Sequence, residues 1–162
     1  MNTIDQKITT FLWFDDQAEE AATFHVSLFD DSEINEVTRY PEDSPGPAGT
    51  VMTVTFTLAS QQFIALNGGR EFTFTEAISL SVRCKDQDEV DRYWSQLTDG
   101  GGEEGPCGWL KDRFGLSWQI NPDRLGELLS DPDPARAHAA MQAMLQMHKI
   151  EIKALEDAAD AA

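Results

Sequence analysis

A strand–helix–strand order that occurs twice is the feature that most constrains the fold of this chain. An apolar and aromatic stretch at residues 7–14 precedes a helical segment that opens with DQAE at residues 16–19. The strand-like run EAISLSVRC precedes a second helical segment, which opens with DQDE at residues 86–89, seventy positions later. At the same offset Phe24 aligns with Trp94. A repeat of this period is typical of two fused α+β modules.

Further strands follow each helix. In the first half, residues 33–40 predict a short strand, and TVMTVTFTLASQQFIALNGG predicts two strands that break near residues 59–61. In the second half, GWLKDRFGLSWQINP predicts a pair of strands that turn at DRFG, and its WQIN at residues 118–121 aligns with IALN at 64–67. We therefore predict an α+β fold of two tandem βαβββ modules, at about residues 5–70 and 75–125.

The ends of the two helices carry recognisable signals. Asp15 or Asp16 is placed to cap the first helix. The second helix ends in glycines, within a G-x-G-x-x-G string at residues 100–105. This string follows a helix and precedes a strand, the reverse of the order in a dinucleotide site, and its two glutamates would repel a pyrophosphate. We predict a helix stop and a loop here, and no nucleotide-binding unit for a methyl donor.

The tail differs in composition from the rest of the chain. Ser130-Asp131-Pro132 predicts the start of a helix rich in alanine and methionine, and IEIKALEDA predicts a shorter second helix. Met141, Met144, Leu145 and His148 form a stripe of the kind that packs in a core or a dimer. We predict paired modules over residues 1–130 and a helical extension over 131–162, together forming one structural domain.

The charge and the cysteines exclude several function classes. With 29 acidic and 12 basic residues the net charge is −17, which repels nucleic acids and anionic membranes, so we expect neither as a partner. No apolar run approaches the roughly 18 residues of a membrane span. The N-terminus lacks the pattern of a secretion signal. We expect a cytoplasmic protein in which Cys84 and Cys107 are free thiols and form no CxxC-type zinc site.

Few residues have the pattern of a catalytic group. Cys107 has Lys111 and Arg113 within reach across the predicted hairpin, which leaves a nucleophile open, and Glu76 is a second weak catalytic candidate. Cys84 is expected to be a buried small hydrophobe. The three histidines, His25, His138 and His148, are not spaced to share a metal.

Other residues are candidates to line a ligand cleft. If the helix packs on the Trp118 side of its strand, Gln119 faces the opposite side, where a cleft would lie. Trp109 would stack on a ligand there or pack in the core. Asn67, Arg70, Glu71 and Glu76 lie near the junction of the modules. Arg70 would be the natural partner of an anionic ligand.

These elements together resemble the vicinal oxygen chelate superfamily, which includes glyoxalase I, extradiol dioxygenases and bleomycin-resistance proteins. Within it the chain is most similar to the PhnB-like group, whose domains are labelled 3-demethylubiquinone-9 3-methyltransferase. The resemblance is carried by ITTFLWFDDQAEEAATFHVSLF, VMTVTFTLASQQFIALNGG, FTEAISLSVRC, CGWLKDRFGLSWQINP and LLSDPDPARAHAAMQAMLQMHKI. It implies modules whose sheets curl around a cleft, and a homodimer.

The resemblance also implies where a metal would be bound. Superfamily enzymes place histidine, glutamine or glutamate ligands on the first and last strands of each module. The positions here are Thr10, Ala65, Ser79 and Gln119, and only Gln119 carries a side chain able to ligate a metal. We therefore expect no cofactor and no bound transition metal, although a divalent metal held by other ligands is left open.

Three functions are compatible with these observations. The first is a PhnB-like protein that binds an unassigned small molecule without a metal. The alternative is an enzyme, either a metal-dependent lyase, isomerase or dioxygenase of the same superfamily or a metal-free enzyme that uses Cys107 or Glu76. The third is a structural dimer without pocket chemistry. The sequence does not decide whether the chain is catalytic.

Overall fold

The computed structural model describes residues 6–162, which divide into two compact units at the junction of Thr73 and Phe74. The first unit contains β1 (Thr10–Phe14), α1 (Ala18–Val26), β2 (Glu33–Arg39), β3 (Val51–Leu58) and β4 (Gln61–Asn67). The second contains β5 (Leu80–Cys84), α2 (Gln87–Thr98), β6 (Glu103–Glu104), β7 (Trp109–Lys111), β8 (Ser117–Pro122), α3 (Asp123–Leu129), α4 (Pro134–Met144) and α5 (Ile152–Asp160).

Each unit is built on one four-stranded sheet, with the orders β1-β4-β3-β2 and β5-β8-β7-β6. In both sheets the first strand of the unit pairs parallel with the last, and the remaining pairs are antiparallel. Helix α1 connects the first strand of its unit to the second, and α2 does the same in the other unit. The predicted α+β fold with two βαβββ modules is therefore confirmed. The prediction of one structural domain overall stays a prediction.

The first sheet has one buried face and one open face. Val54 and Phe56 on β3 and Ala65 on β4 are fully buried, whereas the residues between them are partly exposed. This alternation follows from the period of two in a strand. Helix α1 presents the small, fully buried side chains of Ala18 and Ala21, which allow a helix to lie close to a sheet.

The N-terminus of α1 is capped differently from the prediction. The N-cap is Gln17, which makes no side-chain capping bond. The free amide of Ala18 instead donates to Oδ1 of Asn67 at 2.8 Å, and Nδ2 of Asn67 donates to the carbonyl of Val51 at 3.1 Å. Neither Asp15 nor Asp16 caps the helix, because the side chain of Asn67, at the end of β4, accepts the hydrogen bond in their place.

Helix α2 follows its sequence signals closely. Asp86 accepts a hydrogen bond from the amide of Glu89 at 3.0 Å, and the Glu89 carboxylate accepts from the amide of Lys85 at 2.8 Å. The first bond satisfies an amide that the first helical turn leaves free, and the second fixes the residue that precedes the N-cap. After Thr98 the chain turns through Gly100 and Gly101, with φ of +70° and +108°, which confirms the helix stop. The predicted loop that follows contains the short strand β6.

The three C-terminal helices form a small core of their own. It consists of Leu125, Leu128, Ala140, Ile150, Leu155 and Ala159, and Met144 packs against it. Met141 and Leu145 of the predicted stripe are 44% and 48% exposed, so only part of the stripe is packed. Helix α3 was not predicted. In the part of the chain that the structure describes, no helix has the length and apolarity to span a membrane.

Candidate functional site

The open face of the second sheet carries a set of polar side chains. On β8, Trp118 and Ile120 are buried, and Gln119 between them lies on the opposite face. The register places Gln119 between Ser81 on β5 and Trp109 on β7. The sequence pattern predicted this side of the strand for Gln119, and its neighbours across the sheet could not be read from it.

Hydrogen bonds hold these polar side chains in place. Nε2 of Gln119 donates to Oγ of Ser79, and Nδ2 of Asn121 donates to Oγ of Ser81, both at 2.9 Å. Oε1 of Gln119 receives only a long contact of 3.5 Å from Asn121. Because the amide nitrogens are committed to serines, the carbonyl oxygens remain able to accept hydrogen bonds from a ligand.

A pocket of about 570 Å³ lies over this polar row. We call it the amide pocket. Its polar side is formed by Ser81, Gln119 and Asn121 together with the ion pair of Arg83 and Asp123, and its apolar side by Leu125 and Leu129 of α3 and Met144 of α4. A concave space of this size with few, oriented polar groups is typical of a small-molecule site.

A second pocket of about 540 Å³ lies toward β6, and we call it the acidic pocket. It is lined by Glu76, Glu103, Glu104, Lys111 and Ser117, and Cys107 and Trp109 border both pockets. Nζ of Lys111 lies 2.5 Å from Oε1 of Glu76. This hydrogen bond, more than any other contact, lowers the pKa of Glu76 and raises the pKa of Lys111.

The ion pair bears on the catalytic candidates. A carboxylate with a lowered pKa is a poor general acid and a weak general base near neutral pH, so the pair does not favour a catalytic role for Glu76. Lys111 and Arg113 were the cations expected near Cys107, and Lys111 is bound to Glu76 instead. Among the described residues, Cys107 has no hydrogen bond from its thiol and no charged partner. Its catalytic role stays an untested prediction.

The loop that contains Cys107 is attached to the helical extension. The amides of Cys107 and Gly108 donate to the carbonyls of Met147 and His148 at 2.8 and 2.7 Å. Cys107 has φ of +56°, a left-handed conformation that is strained for a residue with a side chain. The extension therefore fixes the loop that forms the border between the two pockets.

The two cysteines are expected to differ strongly in reactivity. Cys84 is fully buried, and burial raises the pKa of its thiol to about 12, whereas Cys107 is partly exposed. Near neutral pH, iodoacetamide should label Cys107 about 100-fold faster than Cys84, because alkylation requires an accessible thiolate. Mass spectrometry of a time course measures both rates. Equal rates in native protein would contradict the burial of Cys84, and labelling in urea serves as the control.

The residues predicted for the cleft of the first unit lie elsewhere. Ala65 is fully buried on the helix-facing side of the first sheet, and Thr10 pairs with Phe63 on that same side. These positions do not support the predicted cleft role of either residue. The open face is formed instead by apolar side chains such as Phe11, which is 55% exposed, and Ile64.

The two polar candidates near the junction also have structural partners. Asn67 caps α1 through its side chain, and its backbone carbonyl accepts a hydrogen bond from the hydroxyl of Tyr40. Nε of Arg70 lies 2.9 Å from Oδ2 of Asp15, and its side chain is 91% exposed. Arg70 is thus already paired with a carboxylate at the surface, which does not favour its predicted role as the partner of an anionic ligand.

The donor set does not fit a metal centre. Within the described residues, no three side chains from histidine, cysteine, aspartate and glutamate lie close enough to hold a metal ion. His25 is buried on α1 beside Phe24, and His138 and His148 are exposed on the extension. The paired strands of the second open face offer serine hydroxyls and the Gln119 amide, which are weak ligands by themselves.

Comparisons with known proteins are consistent with this fold. A family model described as 3-demethylubiquinone-9 3-methyltransferase matches residues 6–121. The chain is 43% identical to the PhnB protein of Bacillus cereus, described in the same words, over 72% of this chain and 99% of that one, with a TM-score of 0.65. No curated protein shows a significant match.

Two more distant structures show the fold alone. A protein from Pseudomonas aeruginosa is 20% identical over 73% of this chain and 98% of its own, with a TM-score of 0.60. The fosfomycin resistance protein FosX from Listeria monocytogenes, solved with Mn(II) and sulfate, is 17% identical over 78% of this chain and 99% of its own, with a TM-score of 0.55.

Proposed function

The chain belongs to the 3-demethylubiquinone-9 3-methyltransferase-like family, the PhnB-like group of the vicinal oxygen chelate superfamily, and we propose that it binds a small polar molecule in its amide pocket without a transition metal. The observation that carries the proposal is the orientation of Gln119. Its amide nitrogen is bound to Ser79, so its carbonyl oxygen is presented to the pocket opposite Trp109. By the resemblance stated above, this strand position carries a metal-binding carboxylate in related enzymes.

The pocket selects for a ligand with hydrogen-bond donors and an apolar body. Gln119 and Asn121 offer carbonyl oxygens, and hydrogen bonds to these oxygens orient a planar amide or urea group. Trp109 and Met144 supply apolar contact for the rest of the molecule. The role of this chain is therefore to bind and orient the molecule and to exclude water from its apolar side.

Methyl transfer is not part of the proposal, despite the description of the family. The glycine run that follows α2 ends that helix and leads into Glu103 and Glu104 of β6. A nucleotide cofactor needs glycines at the start of a helix, where free amides bind its phosphates. A metal-dependent enzyme is the alternative, and the described donor set does not favour it. Homodimer formation and a cytoplasmic location stay predictions.

Binding and metal content test the proposal directly. Protein purified without metal affinity is expected to contain less than about 0.1 equivalent of Zn, Mn, Ni or Fe by elemental analysis. Benzamide, whose amide N–H groups can donate to Gln119, should shift the indole N–H resonance of Trp109, and acetophenone, which lacks these donors, should bind about tenfold more weakly. One equivalent of metal, or equal binding of the two probes, would contradict the proposal.

A matched pair of variants locates the site. Gln119→Leu removes the carbonyl acceptor at similar side-chain size and should weaken benzamide binding about tenfold. Gln61→Leu makes the same change at an exposed position on the first sheet and should leave binding unchanged. The affinities are measured by titration followed by NMR. If both variants bind benzamide like the parent protein, the amide pocket is not its site.

A further inference from the structure

We propose that the acidic pocket receives the ammonium group of an organic amine, so that the ligand of this protein is a cation. This inference rests on the proposed function, since Cys107 and Trp109 border both pockets. In the simplest arrangement one ligand places its neutral polar end beside Gln119 and its amine beside Ser117. The acidic pocket thus indicates the sign of the charge on the ligand, which the amide pocket alone does not.

The hydroxyl of Ser117 is the first observation. Its side chain is 1% exposed, it lines the acidic pocket, and Oγ has no hydrogen-bond partner among the residues that the structure describes. A buried hydroxyl without a partner costs free energy, and the large majority of such groups are paired. A ligand N–H group in the pocket would provide the missing partner.

The balance of charge around this hydroxyl is the second observation. Glu76, Glu103 and Glu104 line the pocket together with a single cation, Lys111. The Lys111 ammonium is bound to Glu76, so the charges of these two groups offset each other. The carboxylate of Glu104 accepts a hydrogen bond from Nε1 of the buried Trp94 of α2 at 2.7 Å, so it is directed to the helix side of the sheet. Glu103, which pairs with Lys111, lies on the face of the pocket and, among the described residues, has no cation of its own there. An excess of negative charge therefore remains, which attracts a cation and repels an anion.

The wall formed by Trp109 is the third observation. Trp109 lies on the same face of the sheet as Lys111 and is partly exposed to the pocket. An indole ring attracts an organic cation through its negative face, and carboxylates beside such a ring add to the attraction. Pro106 and Leu110 add apolar lining, which suits the carbon body that carries the amine.

Three probes of similar shape test the charge of the ligand. Phenethylammonium, 2-phenylethanol and phenylacetate share a phenyl ring and a two-carbon or similar spacing, and they differ in charge. In low salt we expect phenethylammonium to bind at least about tenfold more tightly than the alcohol, and phenylacetate to cause no shift up to about 10 mM. Titrations followed by NMR of the tryptophan indole groups measure this order. Equal binding of the amine and the alcohol would overturn the inference.

Variants separate local recognition from the overall charge of the protein. Ser117→Ala and Glu103→Gln should each weaken phenethylammonium binding about five- to tenfold. Ser117→Ala removes a buried hydroxyl that has no partner, so it should fold as the parent does, and urea unfolding checks this. Glu42→Gln removes the same charge at an exposed site in the first unit and should leave the affinity unchanged. If Glu42→Gln weakens binding as much as Glu103→Gln does, the pocket is not responsible.

The probes also distinguish this inference from the proposed function. Binding of benzamide without binding of phenethylammonium would overturn the inference and leave the amide pocket supported. Binding of phenethylammonium with loss in Ser117→Ala, but no binding of benzamide, would support the acidic pocket and contradict the neutral site. If neither probe shifts a tryptophan resonance, both proposals are wrong.

Discussion

Replacing Asp112 by alanine is expected to lower the free energy of unfolding by about 4 kcal/mol, among the largest effects of any single polar substitution in this chain. Asp112 begins the turn between β7 and β8 and is only 2% exposed. Oδ1 accepts hydrogen bonds from the amides of Phe114 and Leu116 at 2.9 and 3.1 Å, and Oδ2 accepts from Nε1 of Trp118 at 2.9 Å.

The size of the effect follows from what the substitution leaves behind. Hydrogen bonds to an ionised acceptor contribute about 1.5–3 kcal/mol each, and they are not fully additive. In the alanine variant two turn amides lose an acceptor, and the indole N–H of Trp118 loses its carboxylate partner in the core, where water does not replace it. The turn also sets the pairing of the strands that carry Trp109 and Gln119.

Urea unfolding followed by tryptophan fluorescence measures the loss. Asp112→Asn should lose about half as much, because its amide oxygen still accepts hydrogen bonds from the turn while its amide nitrogen does not accept from Trp118. Asp88→Ala, at an exposed position on α2, should change the free energy of unfolding by less than about 0.5 kcal/mol. A loss below about 1 kcal/mol in Asp112→Ala would show that these hydrogen bonds do not stabilise the turn.

In the second module, strand periodicity alone predicted which residues of β8 share a face, but not which residues they contact. The alternation along the strand predicted that Trp118 and Gln119 lie on opposite faces, with Gln119 on the open face if the helix packs against Trp118, and the structure has Trp118 buried and Gln119 partly exposed. This prediction succeeded because neighbouring residues of a strand point to opposite faces, and a tryptophan is more readily buried than a glutamine. Periodicity did not indicate the hydrogen bonds of the amides to Ser79 and Ser81, since these serines lie before and on β5, forty residues away in sequence. The resemblance had named Ser79 and Gln119 as positions of one cleft, and the structure has their side chains in contact.

In the first module the predicted alignment of β4 with β8 was wrong by one residue. The shared asparagines Asn67 and Asn121 suggested that Ala65 corresponds to Gln119. In the structure Ala65 lies on the buried face and Gln119 on the open face, so Ile64 is the equivalent of Gln119. A shift of one residue exchanges the two faces of a strand. The asparagines misled the alignment because Asn67 caps a helix, whereas Asn121 binds Ser81.

The sequence also did not predict β6 and α3, the two elements whose own residues lack the pattern of a strand or a helix. Strand β6 has two residues inside a glycine-rich loop, and it exists because Glu103 and Glu104 pair with β7. Helix α3 begins directly after Pro122 without a side-chain cap and contains Gly126, so neither its start nor its interior resembles a helix in sequence. Its stability comes from the apolar core that it shares with α4 and α5.

Ile150 connects this core to the candidate site, and Ile150→Ala is expected to lower the free energy of unfolding by about 3 kcal/mol. The side chain is fully buried, and a Cβ placed on Gly108 would lie 3.1 Å from its Cγ1, so Ile150 packs against the loop of Cys107. Its carbonyl accepts a hydrogen bond from Nε2 of Gln87 at 3.0 Å, which joins the extension to α2.

The functional consequence distinguishes Ile150 from the rest of the core. Loss of its packing should release the loop of Cys107, whose amide is bound to Met147, and should weaken the binding of benzamide about fivefold. Leu155→Ala removes an equally buried side chain from the same core at a position on α5, and we expect a similar loss of stability with little change in binding. Urea unfolding and NMR titration of both variants provide the comparison. If the two variants bind benzamide equally well, the extension stabilises the second unit without shaping its pockets.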